Sequence, residues 1–201
     1  MNTRYLVILF FPVVLSLGSC SNNAGQESET MEETPPHAAM EAVDVPPGFV
    51  PFVDESDGFG LALPANWEIA ENYSGTRFLA KSPRTSQNDL FQENVNLIVQ
   101  PLAGSGVSTL EEYVALSKVQ LKNFITDFEL LESRNTTWAG YPAHEFIYTG
   151  TQGAYNLKWQ QLLYLDGSTA YVFSYTALPD TYNQFVAIIE MISNSFKFAG
   201  S

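Results

Sequence analysis

Nine consecutive residues, Thr169 to Ala177, constrain the fold more than any other part of this chain. They alternate as a strand does, and both alternating sets are mostly apolar: Tyr171, Phe173 and Tyr175 on one side, Ala170 and Val172 on the other. A strand with one wet face carries polar residues there, so this one is central and covered on both faces. Helices must therefore lie on both sides of the sheet that contains it.

The neighbouring segments supply that sheet. Asp127 to Trp138, Ala143 to Thr149 and Tyr155 to Leu165 also read as strands, joined by Ala-Gly-Tyr-Pro, by Gly150 to Gly153 and by a loop on Asp166-Gly167. Connections this short link antiparallel neighbours. Earlier in the chain, Gly58 to Leu63 stops at Pro64, and Trp67 to Ile69, Thr76 to Ser82 and Asn94 to Leu102 follow; the last places Val95, Leu97 and Val99 opposite Asn94, Asn96 and Gln100. Between the two groups, Ser108-Thr-Leu-Glu111 forms a capping box ahead of a helix striped by Leu110, Tyr113, Val114, Ser117, Leu121 and Phe124. A closing helix takes Asp180 as its N-cap and carries the stripe Phe185, Ile189, Ile192 and Phe196. The expected order is β4-α-β4-α.

The beginning of the chain is of another kind. Tyr5 to Leu17 is an apolar run of 13 residues, whereas a helix crossing ~30 Å of hydrocarbon needs about 20. With Arg4 ahead and small residues behind, it has the layout of a signal peptide. Leu17-Gly18-Ser19-Cys20 resembles a bacterial lipobox, which implies cleavage after residue 19 and acylation, palmitate included, of Cys20, the chain's only cysteine. Dual or triple acylation anchors a chain stably. In Gram-negative bacteria Ser21 would direct it to the outer membrane, at the periplasmic face or the surface. Residues 20–47 then form a lipidated tether: Ser21 to Pro47 contains no aromatic residue and no Leu, Ile, Lys or Arg, but six acids. Such a segment cannot offset its ordering entropy and is expected to be disordered, with a reach of roughly 30 Å.

The net charge of −13 divides into +1 ahead of residue 21, −6 within 21–47 and −8 beyond it. An acidic domain on an acidic tether does not seek nucleic acid. Residues 48–201 have the length of one domain.

Within that domain, Gly58-Phe-Gly-Leu-Ala-Leu-Pro-Ala-Asn-Trp67, Asn94-Val-Asn-Leu-Ile-Val99, Trp138-Ala-Gly-Tyr-Pro-Ala143 and Ile192-Ser-Asn-Ser-Phe196 resemble the PsbP family in their order and spacing. The resemblance implies a PsbP/Mog-type fold, an α+β domain built as an α/β/α sandwich around a central antiparallel sheet. It also implies a compact interaction module, since the family includes a photosystem subunit, exported lipoproteins and binders of a small GTPase, and no known enzyme. No functional residue of the family is carried over.

The candidate chemistry is sparse. His37 falls in the tether, and His144 has no Gly-x-Ser-x-Gly partner; no catalytic residue, metal site or cofactor is expected. Gly104-Ser-Gly106 lies between a strand and a helix, yet lacks the further glycine or Gly-Lys-Ser/Thr of a phosphate loop, and Glu111 and Glu112 occupy the helix's positive end. Asp54-Glu-Ser-Asp-Gly58 offers carboxylates without the register of a calcium loop, and reads as a solvated turn. The sequons at Asn72 and Asn135 matter only in a eukaryotic secretory route. The eleven-residue connection Pro83 to Glu93 sets Leu90 and Phe91 among polar neighbours. Exposed, they would anchor a partner; tucked in, they would cap the core.

The expected function is that of a membrane-anchored, extracytoplasmic, non-catalytic module, monomeric and bound to an envelope protein. The alternative is a carrier of a small molecule or lipid, which needs a cavity lined by Trp159 and Tyr155. A hydrolase ranks third and needs His144 exposed beside a serine and an acid.

Overall fold

The computed structural model describes residues 43–198. The signal segment 1–19, Cys20, His37 and most of the 20–47 tether lie outside the described residues.

The strands are β1 (Phe49–Asp54), β2 (Phe59–Pro64), β3 (Glu68–Glu71), β4 (Phe78–Lys81), β5 (Asn94–Pro101), β6 (Thr126–Trp138), β7 (Tyr141–Gln152), β8 (Tyr155–Asp166), β9 (Thr169–Ala177) and β10 (Lys197–Phe198). Helix α1 (Leu110–Phe124) follows β5, and α2 (Tyr182–Asn194) follows β9. Seven strands form an antiparallel sheet in the order β3-β4-β5-β9-β8-β7-β6, while β1, β2 and β10 form a second, three-stranded sheet.

As the two apolar faces of Thr169 to Ala177 require, β9 is central, paired with β5 and β8. Its Ala170 and Val172 join Tyr113 and Leu121 of α1 in one core; Tyr171, Phe173 and Tyr175 join Ile189 and Ile192 of α2 and Phe59, Leu61 and Leu63 of β2 in the other. The large sheet thus has α1 against one face and α2 with the small sheet against the opposite face.

The expected order gains a strand at each end, and the expected single sheet becomes two. Pro51 interrupts β1, and Val50 and Val53 on it are exposed, so its alternation is masked in the sequence. Proline is tolerated because β1 is an edge strand, in continuous register with β2 from Phe49↔Pro64 to Asp54↔Phe59. The two residues of β10 are too short to announce themselves; Phe198 packs among Trp138, Tyr164 and Phe196.

Both helix caps move by one residue. The capping box of α1 is Thr109 with Glu112 rather than Ser108 with Glu111. Glu112 Oε2 accepts from the Ser108 hydroxyl and from the N–H of Ser108 and Thr109, three donors gathered on one carboxylate. The N-cap of α2 is Thr181 rather than Asp180 and makes no side-chain cap bond. Its hydroxyl donates to the Glu93 carboxylate instead, tying the start of α2 to the start of β5.

The β6–β7 hairpin turns on Ala139 and Gly140, both at positive φ (50° and 85°), as a tight two-residue turn requires. Trp138 beside it donates its indole N–H to the Ser193 carbonyl (3.1 Å), joining the end of β6 to α2.

A cleft over the polar rungs of the sheet

Helix α1 covers only part of its face of the sheet. Beyond it, two neighbouring rungs cross β4, β5, β9 and β8: Lys81, Asn94, Thr176 and Trp159 stand side by side in one, and Leu79, Asn96, Ser174 and Gln161 in the next. A sheet face under an apolar helix stripe has to be apolar, because an amide or hydroxyl buried there without a partner costs free energy. Each rung is polar in the middle and apolar at one end only, Trp159 on β8 in the first and Leu79 on β4 in the second, while Lys81 and Gln161 close the other ends.

Over them lies a cleft of about 230 Å³. Leu79, Ile98, Leu157, Trp159 and Phe91 provide apolar wall, and the 83–93 connection and the Gly153–Ala154 turn border it. Its floor holds polar side chains that are almost fully withdrawn from solvent: Asn94 is 5% exposed, Gln161 4%, Ser174 5% and Thr176 8%. Gln161 Nε2 donates to Ser174 Oγ (2.9 Å), and Asn94 Nδ2 donates to the Gln92 carbonyl (3.1 Å). The Thr176 hydroxyl and the Asn96 amide find no hydrogen-bond partner among the described residues. No carboxylate lines the cleft; its cations are Lys81, paired with Glu68 at 2.9 Å, and Arg84, which donates to the Asp89 carbonyl.

Leu90 and Phe91, expected as a pair, part company here. Leu90 is 68% exposed on the lip, whereas Phe91 is 8% exposed and packs on Tyr155 with ring centroids 5.2 Å apart. The connection is pinned at both ends: the Ser82 N–H donates to the Glu93 carbonyl, Gln92 Nε2 to the Ser82 carbonyl, and the Tyr155 hydroxyl to the Leu90 carbonyl. Within it, Asp89 accepts from the backbone and hydroxyl of Thr85, and the Thr85 N–H above all holds its carboxyl below the usual range. Trp159 and Tyr155 do line a cavity, as the carrier alternative requires. Asn94 and Asn96 were visible in the sequence as the polar face of an alternating strand; that they stand beside Thr176, Ser174 and Gln161 in two neighbouring rungs was not.

His144 is buried, 7% exposed, and both ring nitrogens are engaged. Nδ1 lies 2.8 Å from Asn135 Oδ1 and Nε2 lies 2.9 Å from Ser133 Oγ. With Nδ1–H donating to the amide oxygen, Nε2 accepts from the serine hydroxyl, the hydrogen-bond order of a Ser-His pair. Two of the three conditions set for a hydrolase nevertheless fail: the ring is not exposed, and its second partner is a neutral amide that cannot balance an imidazolium. Burial first, then the Lys118 charge, lowers the imidazole pKa from its ordinary value.

The acidic turn before β2 is internally satisfied. Asp54 Oδ1 accepts from the backbone and hydroxyl of Ser56 and from the Asp57 N–H, and Arg77 pairs with Asp57 and Asp54. The positive end of α1 is filled by the Glu112 carboxylate beside the Gly104–Gly106 loop. Among the described residues no three His, Cys, Asp or Glu side chains cluster as metal ligands.

Comparison with family models and with curated proteins finds no match. Comparison with solved structures does. The chain is similar to CyanoP, the cyanobacterial PsbP of Synechocystis sp. PCC 6803, with a TM-score of 0.55 and 12% identity over 75% of this chain and 92% of that one. It is similar to LpqN, a Mycobacterium tuberculosis protein involved in cell envelope biogenesis (TM-score 0.54, 13% identity, 75% of this chain and 90% of that one). The Ran-binding protein Mog1p of Saccharomyces cerevisiae gives a TM-score of 0.52 and 11% identity over 74% of this chain and 94% of that one. At these identities the likeness is one of fold, and the fold of this chain is PsbP/Mog-like.

Proposed function

We propose that this chain is a non-catalytic binding domain, exported and lipid-anchored through Cys20, held off the membrane by the acidic segment 20–47, and that it binds at the cleft over β4, β5, β9 and β8. The observation that carries this reading is the combination of apolar wall and nine-tenths-buried polar floor in one concavity. Concave sites of mostly apolar lining with a few convergent polar groups are where small ligands bind. With Phe91 taken up in the wall, the small-molecule carrier becomes the leading reading. The likeness of fold to an envelope-biogenesis protein and to a cyanobacterial PsbP agrees with a place in the envelope.

Recognition of an envelope protein is the second reading, favoured by Leu90, which stands on the lip with most of its surface free. One experiment separates the two. The protein is purified from mildly solubilised membranes as native, Cys20→Ser and Leu90→Ser forms, and both co-purifying proteins and bound small molecules are identified by mass spectrometry. A small molecule retained by all three forms supports the carrier. A stoichiometric protein lost in the Leu90→Ser form supports the interaction module. If neither is found, and the Cys20→Ser form stays in the membrane fraction, the anchored binding domain is wrong.

A further inference from the structure

The chemistry of the cleft narrows what it accepts, given the binding reading above on which this step rests. Eleven of its 21 lining residues carry an amide or a hydroxyl, two carry a positive charge and none a negative one. A cationic ligand would meet no counter-charge within the lining. An anionic one would meet Lys81 and Arg84, each already engaged with a neighbour. The only charge in the floor rungs is Lys81, already balanced by Glu68, so a ligand charge at the deep end would be withdrawn from water without a free counter-charge, which is costly. The ligand's deep end is therefore uncharged.

The floor also offers a ligand more than one polar atom. The Asn96 amide and the Thr176 hydroxyl have no partner among the described residues, and Gln161 and Asn94 each use only their amide nitrogens in the bonds described above. Amides and hydroxyls both donate and accept, so the complementary surface is one dense in groups that do the same. A phenol offers a single hydroxyl and a hydrocarbon chain none; a polyhydroxyl ring offers one on almost every carbon. Its C–H faces suit the apolar walls at Leu79 and Trp159 on either side of the polar rungs. A volume of about 230 Å³ lies just below the range of about 300–1,000 Å³ usual for small-molecule sites, room for one such ring.

We propose that the cleft binds a single uncharged sugar ring, its hydroxyl edge on Asn96, Thr176 and Gln161 and its C–H faces between Leu79 and Trp159. The test follows the side-chain amide signals of Asn96 and Gln161 by ¹H–¹⁵N NMR during titration with glucose, N-acetylglucosamine and the cationic glucosamine. Saturable shifts with a neutral sugar are expected, with a dissociation constant on the order of 1 mM, the range open to so small a neutral ligand. Glucosamine should bind at least tenfold more weakly. Thr176→Val removes one hydroxyl at nearly constant shape, and should weaken sugar binding about tenfold, one hydrogen bond, while leaving the melting temperature unchanged or raised, since the hydroxyl has no partner in the fold.

Unchanged affinity in Thr176→Val, or equal binding of glucosamine and N-acetylglucosamine, overturns the sugar assignment. So does the absence of any shift with the neutral sugars. In that last case an envelope extract is added as a further probe: shifts of the same amides by the extract leave the binding reading standing without the sugar, and none with either probe brings down both.

Discussion

Leu90 and Phe91 are adjacent in the chain and opposite in their energetics, which makes the pair a sharp test of how the 83–93 connection is held. Truncating Phe91 to alanine removes a side chain that is 8% exposed and stacked against Tyr155. Burying a phenylalanine is worth about 1.5–3 kcal/mol, and an aromatic pair adds about 0.5–1.5 kcal/mol. The expected loss is about 2–4 kcal/mol. Leu90→Ala removes a side chain that is 68% exposed and should stay within about 0.5 kcal/mol of the native protein. Urea denaturation followed by tryptophan fluorescence measures both, with equal m-values as the check that the unfolded state has not changed. Hydrogen exchange then locates the effect: amides of residues 83–93 and the Ser82 N–H, bonded to the Glu93 carbonyl, should lose protection in Phe91→Ala alone. A Phe91→Ala protein as stable as native, or equal losses in the two variants, would refute the placement of Phe91 as the residue that fastens this wall of the cleft.

Gly150 in β7 bears on backbone packing: a Cβ there would lie 2.2 Å from Ile125 Cγ2 and 2.9 Å from the Thr126 carbonyl. Gly150→Ala should therefore destabilise by about 1–3 kcal/mol, where an unhindered glycine-to-alanine change would stabilise by about 0.4–1 kcal/mol; thermal melts read the sign. Ala139 sits at φ 50° in the β6–β7 turn, and Ala139→Gly should raise stability by roughly 0.5–1 kcal/mol, relief of left-handed strain exceeding the added freedom of the unfolded chain. His144 titrates lower in the folded protein than its ordinary value, through burial and Lys118 against the opposing Glu145 charge. The unfolded chain then takes up the proton first, so this stabilisation is complete above a pH of about 6.5 and is lost as the pH falls toward the folded value. Melting temperatures between pH 7.5 and 5.5 should fall, and His144→Gln should flatten that slope.

Much of this fold is legible in the order of the residues. The strand Thr169 to Ala177 was placed to the residue, because apolarity on both faces admits only a central position. Short turns with glycine set the β6-β7-β8-β9 meander, since two-residue connections leave no other partner for the next strand. The edges were harder. β1 carries Pro51 and half-exposed valines, a pattern no period-2 rule distinguishes from a loop. The caps of α1 and α2 slid by one residue because adjacent Ser108 and Thr109, or Asp180 and Thr181, offer nearly the same side-chain oxygen. Only the surrounding bonds, to Glu112 in one case and Glu93 in the other, select between them.

The candidate site divides along the same line. Composition and alternation along the sequence decided that this domain is acidic, that its sheet is covered on both faces, and that Asn94 and Asn96 lie on the polar face of an alternating strand, because charge and period are properties of residue order. What only the tertiary structure decided is that those residues, with Ser174 and Thr176 of another strand, come into two neighbouring rungs, that α1 stops short of them, and that Phe91 turns into the wall while Leu90 turns out. Register between distant strands and the reach of a helix across a sheet are set by long-range packing, so no local pattern in the chain could have made a cleft of them.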